Sequence, residues 1–232
     1  MKTKRRLRLS MVMAMALAVA ALFAQAGSSL ALFTESRTSA GNTFTSGIWA
    51  YYLHNNPTPP AGNVNAVVNL AMNATAPSTA PFYQYSTNCS AQLGRRLTRA
   101  APSPTQATVC RYENWRTANL AAALPLTGAR TVDIWSASDT ATANQTGCIV
   151  AYLRDYNPTG GTYTEIANGL YNTTYAIGHH FYHYPITVTV TGTYTVPAGH
   201  QLELKLVASN AYQSNMLIAY DTTVYPSFLR VR

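Results

Sequence analysis

From Pro185 to Arg232 the chain alternates apolar and polar residues so regularly that few folds can accommodate it. Ile186, Val188 and Val190 interleave with Thr187, Thr189 and Thr191. In a strand this sends the aliphatic side chains to one face and the threonines to the other. Leu202, Leu204 and Leu206 repeat the pattern against Glu203 and Lys205. Between the two runs lies TVPAGH, where Pro197 fixes φ and Gly199 admits conformations closed to other residues, so the link reads as a turn. The segment predicts a half-buried antiparallel sheet, with Glu203 and Lys205 on its polar side.

The preceding sequence extends the pattern. Val132, Ile134 and Trp135 follow Pro125–Arg130, and Gly147 to Tyr156 makes a second strong strand. Asn157-Pro158-Thr159-Gly160-Gly161 reads as a turn, Thr162 to Ile166 as a returning strand, and Asn168-Gly169 as a hairpin-type signal. Strands at this spacing predict an all-β fold, a two-sheet antiparallel β-sandwich of jelly-roll-like form, because two sheets bury both apolar faces in one core. Residues 125–232 are the best-defined part of a single domain spanning 27–232, and residues 27–124 are less regular. Ile48 to Leu53 favours a first strand; Val67, Val68, Leu70 and Met72 allow a short one. Tyr112 to Leu124 is compatible with either a short helix or strands.

The first 26 residues read as a leader. Lys2, Lys4, Arg5, Arg6 and Arg8 precede an apolar run from Leu9 to Phe23, and Ala24-Gln25-Ala26 offers a small-x-small cleavage site. The run is shorter than the roughly 18–20 residues that span a bilayer, so a secreted or cell-surface location is expected, with no permanent membrane span after cleavage. Without the leader the formal charge falls from +8 to +3, eleven basic against eight acidic residues. The only basic cluster, Arg95, Arg96 and Arg99, suits an ordinary loop better than a nucleic-acid stripe. Cys89, Cys110 and Cys148 suggest a Cys89–Cys110 disulfide in an oxidising exterior, with Cys148 as a small buried hydrophobe.

Motifs that carry chemistry are few. Asp133, Asp155 and Asp221 are candidates for a structural calcium, against the alternative of ordinary turn and strand-end residues. His179 and His183 share a face in a strand and are weaker metal candidates, since no His-Glu-x-x-His motif is present. No serine sits in a Gly-x-Ser-x-Gly elbow, and no organic cofactor is implied. Sixteen tyrosines and three tryptophans leave room for an aromatic contact surface for glycan or protein, with Trp49, Tyr51, Tyr83 and Tyr85 as candidates.

Two resemblances bear on function. Phe33-Thr34-Glu35, then Gly41-Asn42-Thr43-Phe44 and Gly47, resemble the start of exported Gram-positive proteins of the biofilm-fibre and camelysin type, over residues 1–49. That resemblance implies export and assembly into fibres or matrix. Gly199, His200, Leu202, Leu204, Leu206, Ser209 and Asn210, within residues 125–232, resemble the galactose-binding-like jelly-roll module of the X-Pro dipeptidyl-peptidase and cocaine-esterase group, which implies an accessory fold without catalysis. The expectation is therefore a structural or adhesive envelope protein that is not an enzyme. Its partners would be itself, other envelope proteins or polysaccharide, but not nucleic acid. A carbohydrate-binding module-like protein and a secreted metal-dependent hydrolase are the alternatives.

Overall fold

A computed structural model describes residues 50–54, 70–78, 90–91, 94–108 and 110–231, all within one compact unit, Ile48–Arg232. The leader, the first resemblance, Trp49, Tyr83, Tyr85 and Cys89 lie outside the described residues.

The chain is all-β. Its strands are β1 (Ala50–His54), β2 (Leu70–Asn73), β3 (Ser90–Ala91), β4 (Gly94–Leu97), β5 (Tyr112–Arg116), β6 (Leu124–Ser138), β7 (Gln145–Asn157), β8 (Thr162–Tyr175), β9 (Tyr182–Val196), β10 (Gln201–Ala208), β11 (Met216–Ala219) and β12 (Phe228–Arg230). Hydrogen bonding links them in one continuous path, β3-β4-β11-β6-β12-β1-β2-β5-β10-β7-β8, with β9 on β6. The sheet is mixed: β2 and β5 run parallel through Leu70↔Trp115, and the other strand pairs are antiparallel. It is thus one large sheet in hydrogen-bonding terms.

The main core forms where aliphatic faces of distant parts of this path meet. Ile134 of β6, Ile186 and Val188 of β9, Leu153 of β7 and Leu204 of β10 belong to one buried cluster with Trp115 and Tyr175. Each such aliphatic side chain contributes about 1.5–3 kcal/mol on full burial. The Ile186/Val188/Val190 alternation behaves as its pattern dictates, with these residues buried and Thr187, Thr189 and Thr191 exposed. Pro185 is accommodated because β9 pairs only with β6, leaving an edge on which a missing N–H breaks no ladder bond. The TVPAGH turn closes with His200 N–H donating to Pro197 O at 3.2 Å, and Gly199 has φ +83°.

Two expectations change, and a third is met in part. Tyr112–Arg116 is strand β5, and the helical alternative fails because Trp115 and Asn114 are needed in register opposite Leu204 and Lys205. Asn168-Gly169 makes no hairpin, since β8 runs through it without a break. There β8 passes against β9, and a Cβ on Gly169 would lie 2.0 Å from the Thr187 carbonyl oxygen, so the glycine serves a close backbone approach. Finally, Cys148 is free and buried and Cys110 is engaged. The expected Cys89–Cys110 bridge is not among the described bonds, because Cys89 is outside the described residues.

One ion pair ties β1 to the segment after β11. His54 Nδ1 lies 2.8 Å from Asp221 Oδ1, and Nε2 lies 2.9 Å from Thr75 O. A carbonyl and an ionised carboxylate only accept, so both ring nitrogens donate and the imidazolium is the form that fits. The hydrogen bond to Asp221 holds the His54 pKa above its ordinary value, against the opposing effect of burial. A raised histidine pKa adds stability that is complete below about pH 6.5 and is lost as pH climbs through the folded-state value. Thermal unfolding from pH 5.5 to 8.5 is expected to show this loss, and His54→Gln to flatten it.

Candidate functional site

The polar side of β10 is not a solvent face. Glu203 is 0 % exposed and Lys205 2 %, because β10 is a central strand between β5 and β7 and its outer face is covered by the 103–107 loop. Register explains which groups meet there. Glu203 is the cross-strand partner of both Arg116 on β5 and Arg154 on β7, and Lys205 of both Asn114 and Tyr152. In an antiparallel pair such partners share a face at about 4.5–5.5 Å between Cβ atoms.

Within this row one carboxylate faces three cations. Arg116 Nε donates to Glu203 Oε2 at 2.5 Å, and Arg154 Nε to Glu203 Oε1 at 2.5 Å, with Arg154 Nη2 also on Oε1. Arg154 Nη1 donates to Pro104 O at 2.6 Å. Lys205 Nζ donates to Pro104 O at 3.0 Å and to Gln106 O. Burial, and then Arg154, push the Lys205 pKa down to about 8, opposed by Glu203. Each cation also sits over a tyrosine ring: Arg116 over Tyr156 at 3.5 Å, Arg154 over Tyr163 at 4.0 Å and Lys205 over Tyr112 at 4.4 Å.

These residues line a cleft of about 280 Å³, which also reaches Gln106, Gly161 and Asn114. Asn114 is 6 % exposed, and its Oδ1 is buried with no hydrogen-bond partner. A buried amide oxygen without a partner costs about 1–3 kcal/mol, so the cleft carries an unmet demand for a donor. Tyr163 is 38 % exposed at the cleft edge and presents a ring to incoming ligand. The arrangement offers flat aromatic surface, guanidinium and ammonium donors and one orphaned acceptor in a concave site, which is equipment for binding an oxygen-rich molecule.

The residues singled out from sequence are placed elsewhere. Each aspartate suggested for calcium is held by a histidine: Asp133 by His183 at 2.9 Å, Asp155 by His200 at 2.8 Å, and Asp221 by His54. Asp133 further accepts from Arg230 Nε at 2.7 Å, and Asp155 from the Tyr194 hydroxyl at 2.9 Å. They do not converge; among the described residues no group of three or more His, Cys, Asp or Glu side chains could hold a metal ion. His183 is taken by Asp133, and His179 stands in the turn before β9 at φ +58°, so the two make no joint site. Tyr51 is a buried core residue and no contact platform. Of the arginines expected in a loop, Arg95 and Arg96 lie in strand β4; Arg96 pairs with Asp139 at 2.8 Å and Arg99 donates to Tyr212 O at 2.5 Å. The cleft residues were missed, although Tyr112-x-Asn114-x-Arg116 and Tyr152-x-Arg154-x-Tyr156 repeat one period-2 pattern of aromatic and polar groups.

No protein-family profile and no curated protein matches the sequence. Solved structures do share the fold. An α-amino acid ester hydrolase matches 79 % of this chain and 36 % of its own, at 12 % identity and TM-score 0.54. A CocE/NonD family hydrolase from Staphylococcus aureus matches 85 % of this chain and 40 % of its own, at 10 % identity and TM-score 0.51. A looser match, at TM-score 0.44 and 13 % identity, is an aminopeptidase from a marine sediment Thaumarchaeota archaeon, over 53 % of this chain and 26 % of that one. The chain spans between a quarter and two fifths of the length of these structures. At such identities the likeness is one of fold. It nonetheless corrects the expectation of a structural or adhesive biofilm protein that is not an enzyme: the architecture is one carried by hydrolases. Among the described residues, no helix is long and apolar enough to cross a membrane.

Proposed function

We propose that the chain is a saccharide-recognition domain of hydrolase type, exported through its leader, which folds its sheet over in jelly-roll fashion and binds carbohydrate in the β5–β10–β7 cleft. The observation that carries this reading is the cleft itself: three tyrosine rings, each under a cation, and a buried amide oxygen lacking a donor. Sugar rings present C–H faces that stack on aromatic rings, and hydroxyls that donate and accept in the same plane. The fold shared with two hydrolases supports the reading, since a domain of this architecture is found within chains much longer than this one.

The test is an oligosaccharide array on the purified chain, followed by calorimetry on the best ligands. Tyr163→Ala is expected to weaken binding by about tenfold, the equivalent of 1.4 kcal/mol. Its ring is part exposed, so the fold should be unaffected. Unchanged affinity in that variant, or no saccharide binding at all, contradicts the reading.

A further inference from the structure

Resting on that reading, we propose that the sugar held in this cleft is acidic, a hydroxylated carboxylate of the uronic-acid type. Its carboxylate seats between Arg116 and Lys205, and one of its hydroxyls donates to Asn114 Oδ1.

Arg154 has all three guanidinium nitrogens engaged, with Nε and Nη2 on Glu203 and Nη1 on Pro104 O. Arg116 has only its Nε engaged by an ion pair among the described residues, so both terminal nitrogens of its guanidinium remain, in the fork geometry that matches a carboxylate. Lys205 has three donors and gives two of them to loop carbonyls.

Charge points the same way. Two guanidiniums and one ammonium share a single carboxylate, Glu203, so the row carries an excess of positive charge. The other acids on these strands do not cancel it. Glu113 on β5 and Asp155 on β7 lie on the opposite, core-facing side, in register with Leu206 and Leu202, and Glu165 on the neighbouring β8 accepts from Asn168 Nδ2 at 2.7 Å. The depressed Lys205 pKa is what a buried ammonium shows when nearby positive charge and dehydration outweigh its one counter-charge. An incoming carboxylate relieves both.

Asn114 narrows the class further. A fully ionised anion such as sulfate brings charge but no donor, and leaves the amide oxygen unmet. A neutral sugar brings donors but no charge. A uronic acid brings both on one ring, together with a C–H face for the tyrosines.

Calorimetry on the full chain at pH 7 decides it, with galacturonate, glucuronate and mannuronate trimers set beside their carboxyl-reduced neutral counterparts and beside sodium sulfate. At least one acidic trimer is expected to bind about tenfold or more tighter than its reduced form, and sulfate to compete weakly. Arg116→Gln should abolish the difference between acidic and reduced trimers. Equal affinity for acidic and reduced trimers overturns the acidic assignment while leaving the saccharide reading intact. Sulfate competing as well as the uronates overturns it in favour of a plain anion site. Binding by none of the sugars overturns both. The comparison on the unaltered chain stands even where Arg116→Gln fails to fold.

Discussion

Glu203→Ala is expected to destabilise the protein by about 3–5 kcal/mol, because it strips the shared counter-charge from two guanidiniums at once. The side chain is fully buried and accepts from Arg116 and Arg154, and Arg154 is itself only 3 % exposed. Arg154 cannot turn to water without displacing the 103–107 loop, to which it and Lys205 are also bonded. Denaturant unfolding gives the measurement, read at the midpoint with an unchanged slope. Glu203→Gln keeps an acceptor and should lose less than the alanine variant. A loss under about 1 kcal/mol for Glu203→Ala is the size of an exposed ion pair, and would mean that this face of β10 is open to solvent.

Gly169→Ala is the second large effect. The added methyl would stand 2.0 Å from Thr187 O and 2.8 Å from Thr187 C. Both are backbone atoms of a strand held to β6 along its length, so they cannot swing aside as a flexible side chain can. Overpacking of a tight site costs about 1–3 kcal/mol, and more where backbone must move. The expected result is a loss at or above the top of that range, with faster amide exchange along β8 and β9. Gly161→Ala gives the contrast: φ is +63° there, but nothing lies within 4 Å of the new Cβ, so its cost is confined to backbone strain of about 1–2 kcal/mol. Equal stability of Gly169→Ala and the native chain would contradict the close crossing of β8 and β9.

What could be read from the sequence was what depends on one strand alone. The Ile186/Val188/Val190 face, the TVPAGH turn and the Asn157–Gly161 turn follow from local period and turn chemistry, and the structure repeats them. The polar side of β10 did not follow, because whether Glu203 and Lys205 face water depends on which strands flank them. Arg116 and Arg154 are 87 and 49 residues away in sequence, and only the register brings them to one carboxylate. Gly169 was misread for a related reason: Asn-Gly signals a hairpin only when the chain turns, and here the glycine answers to a carbonyl on another strand. The aspartates misled in the opposite direction. Oxygen ligands suggest calcium, yet each carboxylate is already satisfied by a distant histidine, and the His–Asp pairs act as pins between elements. The non-catalytic expectation rested on missing motifs and on a resemblance to an accessory module, and neither of these bears on the fold that the chain shares with hydrolases.

The central claim is that ligand enters over the β5, β10 and β7 strands. Amide and side-chain chemical-shift mapping during titration with the strongest-binding oligosaccharide tests it most directly. Shifts concentrated at Asn114, Arg116, Tyr163, Lys205 and the 104–107 loop are the predicted result. Shifts concentrated instead at the other exposed apolar residues, such as Leu170, Ile177 and Val224, with the cleft unperturbed, would contradict it.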